Sequence, residues 1–266
     1  MKNNELFRAS SVMAIGTILS RIGGFIRSVL TVAVLGTALL ADSFNVANTM
    51  PNIIYNLMVG GALTAIFVPQ LVKSKSDQDG GLDFASRLVT TISLILGAIV
   101  VLGVVFAPAL VKIYAPEFSQ PGFEHIYDLT LTLMRICLPQ IFFLGLFTML
   151  GQVANSRGSF APMMWAPIAN NLVGIALLGY FIAMVPKFTA ETITPTQVAI
   201  LGWGTTAGVI VQALLVIPAV KQTGLHLKIR FGLHGLGKSF SLAGWTLVYV
   251  DRKSTRLNSS HGYISY

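Results

Sequence analysis

The sequence predicts an all-α protein that spans a membrane several times. Of its 266 residues, 54% are hydrophobic and only 11% are charged, far below the roughly 25% charged residues of soluble domains. The mean hydropathy is +0.73, and apolar windows of about 20 residues, long enough to cross a bilayer as helices, recur along the chain. The predicted architecture is therefore a polytopic bundle of membrane helices.

Seven apolar segments follow one another along the chain. We interpret the first, 10–36, as a retained span, because a secretory signal has a short apolar region without arginines and ends in small residues. The others are 38–72, 88–114, 129–153, 160–186, 196–220 and 239–250. The last segment is too short to span, so we expect six full spans and the start of a seventh.

The distribution of Lys and Arg predicts the orientation. Ten of them fall on one side of the predicted spans: Lys2, Arg8, Lys73, Lys75, Arg87, Arg157, Lys221, Lys228, Arg230 and Lys238. The other side carries only Lys112 and Lys187. Because basic residues concentrate in cytoplasmic loops, the amino terminus is predicted to be cytoplasmic. Because these basic residues are spread over several loops and form no single basic face, the net charge of +8 does not indicate a nucleic-acid partner.

Metal or cofactor chemistry is not indicated. The single cysteine, Cys137, lies in an apolar segment and excludes an intrachain disulfide or a cysteine metal cluster. The four histidines are scattered, at His125, His226, His234 and His261. We therefore expect no cofactor, although a coupling ion or the membrane potential could supply energy.

The composition changes abruptly at Asp251. The string DRKSTRLNSSHGYISY is polar and interrupts an apolar run about half a bilayer long. It resembles the conceptual translation of a sequencing-library adapter. We therefore expect 1–250 to be the membrane domain, 251–266 to be a non-native tail, and the native protein to continue beyond 250.

Polar residues form a stripe along the second predicted span. On a helix with 100° per residue they share an arc of about 120°, and they are Asp42, Asn45, Asn48, Thr49, Asn52 and Asn56. In a bilayer such an arc lines a wet cavity. The alternative is that the amides join neighbouring helices by hydrogen bonds. Pro51 and Gly60–Gly61 interrupt the same segment and are predicted hinges.

Arg21 and Arg27 lie inside the first apolar segment. A charge at membrane depth persists mainly where a partner, cavity or ligand compensates it. The two lie about 9 Å apart along a helix and about 120° around it, so a distortion would be needed to aim both into one cavity. Gly23–Gly24, between them, is a further predicted hinge. A diphosphate would suit them because arginine forms bidentate hydrogen bonds to such oxygens.

Two alternative roles for this arginine pair stay open. Asp42 could neutralise one of the arginines, but not both, and long side chains could also extend to the interface. For Arg135 we expect this interfacial placement. The basic segment 221–238, with spaced Leu, Ile and Phe, fits either an interfacial segment on anionic lipid or a plain cytoplasmic connector.

Several motifs resemble the first two spans of the MurJ (MviN) lipid II flippases, members of the multidrug/oligosaccharidyl-lipid/polysaccharide exporter superfamily. The matching residues are Ser20–Arg27, Ala41–Ala47, Pro51–Asn52, Gly61–Ala62 and Ala65–Pro69. Weaker agreement continues through Ala115–Phe118, Asn155, Phe160, Ala166–Pro167 and Asn171.

The resemblance implies a two-lobed alternating-access flippase, of which this chain would form most of the amino-terminal lobe. Its substrate would be the undecaprenyl-diphosphate-linked peptidoglycan precursor, moved across the bacterial plasma membrane for cell-wall synthesis. Arg21 and Arg27 match the family's cavity arginines, Asp42 and Asn52 match second-span polar positions, and Asn171 resembles a gate residue. The partners implied are the lipid substrate, membrane lipids and the second lobe of the same polypeptide.

The chain also departs from the family pattern. Tyr55–Asn56 and Gly60–Gly61 stand where many members have two basic residues and a Glu-Gly pair, so the cavity is less charged. An exporter of another lipid-linked oligosaccharide is the main alternative because it shares the diphosphate. A drug exporter would favour acidic groups in its cavity, and a membrane enzyme would need a catalytic cluster that the sequence does not present.

Overall fold

The computed structural model describes residues 3–36, 39–58, 62–185 and 187–232, and this part of the chain is helical with no strand. The all-α prediction is therefore confirmed. The predicted seventh segment, 239–250, and the predicted tail, 251–266, lie outside the described residues.

The described helices follow the predicted apolar segments closely. They are α1 (Asn3–Leu35), α2 (Leu39–Met58), α3 (Ala62–Lys73), α4 (Leu82–Val105), α5 (Ala107–Tyr114), α6 (Glu124–Cys137), α7 (Gln140–Ser156), α8 (Ala161–Met184), α9 (Pro195–Leu214) and α10 (Val216–Gln222). Two 3-10 turns, Ser74–Ser76 and Pro116–Ser119, lie in the connections.

Four of the predicted spans correspond to two helices each. Between α2 and α3 the residues 59–61 lie outside the described part of the chain. The break between α4 and α5 lies at Phe106, just before Pro108 in the first turn of α5, and Pro139 precedes α7. Proline lacks a backbone N–H and is accepted at the start of a helix, so it ends one helix and begins the next. The break between α9 and α10 lies at Leu215, and Pro218 stands in the first turn of α10.

The chain is a multi-pass membrane protein by the length and composition of its helices. Among the described residues, five helices or helix pairs are long and apolar enough to cross a membrane: Ser11–Leu35, Leu82–Val105, Glu124–Ser156, Ala161–Met184 and Pro195–Gln222. The second predicted span is not among them, because Asp42 and four asparagines make α2 more polar than an ordinary span. Six spans therefore stay a prediction.

The centre of the bundle is built from α6, α7 and α9. Leu133, Leu138, Ile141 and Leu201 have no exposed surface there. Around this centre α2 packs on α6, α4 packs on α7, and α8 packs on α9. Helix α1 packs almost entirely on α8 and has few contacts with α2, so a gap between α1 and α2 remains.

Close helix contacts are made at glycines. A Cβ atom added at Gly145 of α7 would lie 2.2 Å from Cδ1 of Leu96 in α4, and one at Gly204 of α9 would lie 2.6 Å from Cδ1 of Leu177 in α8. Small residues let membrane helices approach closely, and this packing contributes to their association.

The loop before α4 is also fixed by glycine. Gly80 and Gly81 have φ values of +64° and +83°, which side chains rarely adopt. Asp79 accepts hydrogen bonds from the backbone N–H groups of Asp83 and Gly81, and these bonds lower the pKa of its carboxyl below the ordinary value. Since they favour the charged form, they stabilise the loop above the unfolded pKa and are lost as the pH falls through the folded pKa.

Replacing Gly145 with valine is expected to destabilise the bundle by about 1–3 kcal/mol, because the added methyl groups overpack the contact with buried Leu96. Thermal unfolding of the purified protein in detergent measures the change. Gly179→Val on α8 is the matched control, since a Cβ at Gly179 meets no atom within 4 Å. Equal unfolding midpoints for the two variants would contradict this account of the packing.

Candidate functional site

A polar cavity of about 480 Å³ lies between α1, α2 and α8. Its polar lining consists of Arg27, Ser28, Thr31, Asp42, Asn45, Asn48 and Asn171. The α1 residues share one face because positions three and four apart on a helix are neighbours. The cavity opens where α1 and α2 are only loosely packed.

Arg27 is held at the wall of this cavity by amide side chains. Its Nη1 donates a hydrogen bond to Oδ1 of Asn170 at 3.3 Å, and Nδ2 of Asn170 donates to Oε1 of Gln212 at 2.8 Å. Since a guanidinium only donates, the direction of both bonds is fixed. The result is a relay from α1 through α8 to α9, with Gln212 buried.

Two glycines make room for the relay. A Cβ at Gly174 would lie 2.8 Å from Cδ and Nε of Arg27, and a Cβ at Gly208 would lie 2.4 Å from Oδ1 of Asn170. A larger residue at Gly174 would displace the arginine side chain. The position of the guanidinium therefore depends on small residues in α8 and α9.

Arg27 forms no ion pair with an acidic side chain in the described part of the chain. Within the described ranges, both ion pairs involve Asp83, and neither Arg21 nor Arg27 pairs with Asp42. The neutral amides orient the guanidinium but do not neutralise it. Because Asp42 also lines the cavity, the site presents one cation and one carboxylate that are not joined to each other.

The structure brings Arg27 to the cavity but leaves Arg21 outside its lining. Arg21 is exposed, and α1 continues as a helix through Gly23–Gly24. The distortion considered from the sequence is therefore absent, and the angular separation between the two arginines persists. Both residues stay predicted ligands, with Arg27 nearer the other polar groups.

Gly23 and Gly24 instead allow a close approach of α8. A Cβ at Gly23 would lie 3.2 Å from Cβ of Asn171. Nδ2 of Asn171 donates to the backbone oxygen of Ser20 at 2.8 Å. The predicted gate residue thus joins α8 to α1 at the edge of the cavity; its gating role stays a prediction.

The stripe on α2 is used in two ways. Asp42, Asn45 and Asn48 line the cavity. Asn48 also accepts a 3.5 Å hydrogen bond from Nε2 of Gln140, which donates to Thr206 at 3.1 Å. Helix α2 therefore both lines the cavity and forms hydrogen bonds to neighbouring helices, the two arrangements that the sequence left open.

The remaining stripe residues lie outside the cavity lining. Thr49 donates to Oδ1 of Asn45 at 3.0 Å, and Asn52 donates to the backbone oxygen of Asn48 at 3.1 Å. Asn56 is exposed. Substrate contacts by Asn52 and Asn56 stay predictions.

The helix boundaries do not test the hinge predictions. Helix α2 continues from Leu39 to Met58 through Pro51, which is buried. Gly60 and Gly61 lie outside the described residues. A hinge at any of these positions remains a prediction.

Sequence reasoning missed Asn170, Gln212 and Gln140. Each is an amide inside a predicted apolar span, and Gln140 is 1% exposed. Buried polar groups need hydrogen-bond partners, so an amide within an apolar span indicates a hydrogen bond inside the bundle. Their partners lie on other helices and are not visible from the spacing along the chain.

Comparison with known proteins identifies the family. Residues 31–255 match the family described as lipid II flippase MurJ. The chain belongs to this family. The "Lipid II flippase MurJ" of Burkholderia cenocepacia is 30% identical over 223 residues, and the "Probable lipid II flippase MurJ" of Rickettsia prowazekii is 29% identical over 231 residues.

The same fold occurs in a solved structure of the family. The "Lipid II flippase MurJ, inward closed conformation" matches with a TM-score of 0.66 and 21% identity, covering 89% of this chain and 46% of that one. The chain spans 41% of the Burkholderia protein and 42% of the Rickettsia protein. It therefore corresponds to less than half the length of these relatives.

A double-mutant cycle tests the relay behind Arg27. Asn170→Leu and Gln212→Leu are each expected to destabilise the protein by about 0.6–2 kcal/mol, because each leaves the other amide without its partner in the membrane. The double variant should lose less stability than the two single variants lose together, as measured by thermal unfolding in detergent. Strictly additive changes would show that the two amides do not interact.

Proposed function

We propose that the protein moves lipid II, an undecaprenyl-diphosphate-linked peptidoglycan precursor, from the cytoplasmic to the outer leaflet. The observation that carries this proposal is the position of Arg27, whose guanidinium lines a polar cavity and forms no ion pair with Asp42 there. A diphosphate supplies negative charge and several acceptor oxygens to this guanidinium. Membership of a family described as lipid II flippases supports this choice of substrate.

The rest of the cavity would bind the polar head group. Asn45, Asn48 and Asn171 offer amide donors and acceptors, and Asp42 offers acceptors for hydroxyl or amide groups. Arg21 would contact the diphosphate as it enters or leaves. Asn52 and Asn56 would extend the polar path beyond the described cavity.

A second lobe of the same polypeptide would close the cavity. The outer face of α1 is strongly exposed, with Phe25 exposed by 71%, and the relatives extend well beyond the matched length. Alternating access would then move one lobe against the other around the bound diphosphate. The protein acts in this proposal as a transporter, without a catalytic step or cofactor, and the membrane potential would act on its charges.

Binding to the protein encoded by the complete reading frame tests the role of the arginine. Arg27→Ala is expected to weaken lipid II binding by about 10- to 100-fold, the loss of one charged hydrogen-bond partner. Arg27→Lys should restore only part of it, because an ammonium cannot bind bidentately. Lys112→Ala, an exposed lysine outside the cavity, is the matched control.

Two outcomes would contradict the proposed substrate. Unchanged lipid II binding and flipping by Arg27→Ala would remove the diphosphate role. Tighter binding of a different lipid-linked oligosaccharide, in competition with lipid II, would favour the related exporter instead.

We further propose that the amino terminus faces the cytoplasm of a bacterium, as the Lys and Arg distribution indicates. In intact spheroplasts, a membrane-impermeant maleimide should label Ser119→Cys and spare Ser76→Cys, because the proposed orientation puts these two exposed positions on opposite sides of the membrane. Buried Cys137 should not react. The opposite labelling pattern would reverse the topology.

A further inference from the structure

A second and larger cavity lies away from the arginine site. It has a volume of about 740 Å³ and runs between α4 and the extended segment 225–232 that follows α10. Its lining is mainly apolar, with Val89, Leu94 and Val101 from α4 and Phe142 from α7. The transport proposal makes no use of this groove.

Hydrogen bonds fix the extended segment as one wall of the groove. The backbone N–H of Lys228 donates to Oγ of Ser86, and that of Arg230 donates to Oγ1 of Thr90, both at 3.2 Å. Nη1 of Arg87 donates to the backbone oxygen of Phe231 at 2.7 Å. Three residues of α4 therefore hold the segment in register.

The end of the groove nearest these residues is positively charged. Asp83 pairs with Arg87 at 2.7 Å and with Arg230 at 2.5 Å. Lys228 lines the groove, is exposed, and has no acidic partner among the described residues. The carboxylate of Asp79 lies beside Asp83, since it accepts from the backbone N–H of Asp83 at 2.6 Å. Three cations against two carboxylates leave one net positive charge there.

The apolar and basic residues are arranged as in a segment at a membrane interface. Ile229 and Phe231 are 79% and 69% exposed and alternate with Lys228 and Arg230. Basic side chains beside exposed apolar ones favour the boundary between headgroups and acyl chains. From Ser86 to Val101 the groove follows α4 for about 22 Å, a large part of the hydrocarbon thickness.

We propose that this groove binds one anionic phospholipid, with an acyl chain along α4 and the phosphate beside Lys228 and Arg230. The net positive charge selects an anionic headgroup, and the apolar lining accepts a chain. The site would anchor the segment after α10 to the cytoplasmic leaflet. It does not depend on the identity of the transported substrate.

Native mass spectrometry of the purified protein, incubated with equimolar phosphatidylglycerol and phosphatidylcholine, tests the proposal. The unchanged protein should retain phosphatidylglycerol at least fivefold better. Lys228→Gln should reduce that preference about fivefold, the contribution of one basic group near a membrane surface. Lys112→Gln, which removes a lysine elsewhere, should leave the preference unchanged.

A second variant tests the acyl-chain part of the site. A Cβ at Gly97 meets no atom within 4 Å, so a side chain can start into the groove at this position, and Gly97→Leu should lower phosphatidylglycerol retention severalfold. Gly179→Leu on α8 is the matched control, with an equally open Cβ. If Gly97→Leu has a lower unfolding temperature than Gly179→Leu, then Ala98→Leu, at an exposed lining position, replaces it.

Three results would overturn the proposal. The first is equal retention of the two phospholipids by the unchanged protein. The second is a groove-filling variant that retains phosphatidylglycerol as well as Gly179→Leu does. The third is displacement of phosphatidylglycerol by equimolar undecaprenyl phosphate, which would identify the occupant as an isoprenoid lipid.

Discussion

The structure around the cavity depends on a single positive charge held inside the membrane by neutral groups. An arginine at the centre of a span costs about 2.5–3.5 kcal/mol even on lenient scales. Arg27 reduces this cost through Asn170, which Gln212 holds in place. Gly174 and Gly208 are required because larger side chains would occupy the space of this relay. The amides orient the charge and leave it available to an anion.

This arrangement also explains the place of α1 in the bundle. Helix α1 packs on α8 and barely touches α2, so the relay joins α1 to the rest of the protein while a polar gap stays open beside it. The groove along α4 has the opposite character, with apolar walls and charges at one end only. One surface therefore suits a polar head group, and the other suits the chain of a lipid.

Much of this organisation could be predicted from the sequence. Apolar windows locate the helices because a span needs a minimum length, and the 100° rotation per residue identifies the polar face of α2. The same rotation separates Arg21 from Arg27, but only the structure shows which of them faces the cavity. The relay could not be predicted, since Asn170 and Gln212 meet Arg27 through packing between helices distant in the chain.

The central claim is that the charge of Arg27 binds the diphosphate of a lipid-linked substrate in the cavity between α1, α2 and α8. An electron cryomicroscopy structure of the protein from its complete reading frame, with lipid II bound, tests this most directly. The account predicts diphosphate density within hydrogen-bonding distance of the Arg27 guanidinium, with the Asn170 contact retained. Density for the diphosphate elsewhere, with Arg27 unchanged and without a ligand, would contradict it.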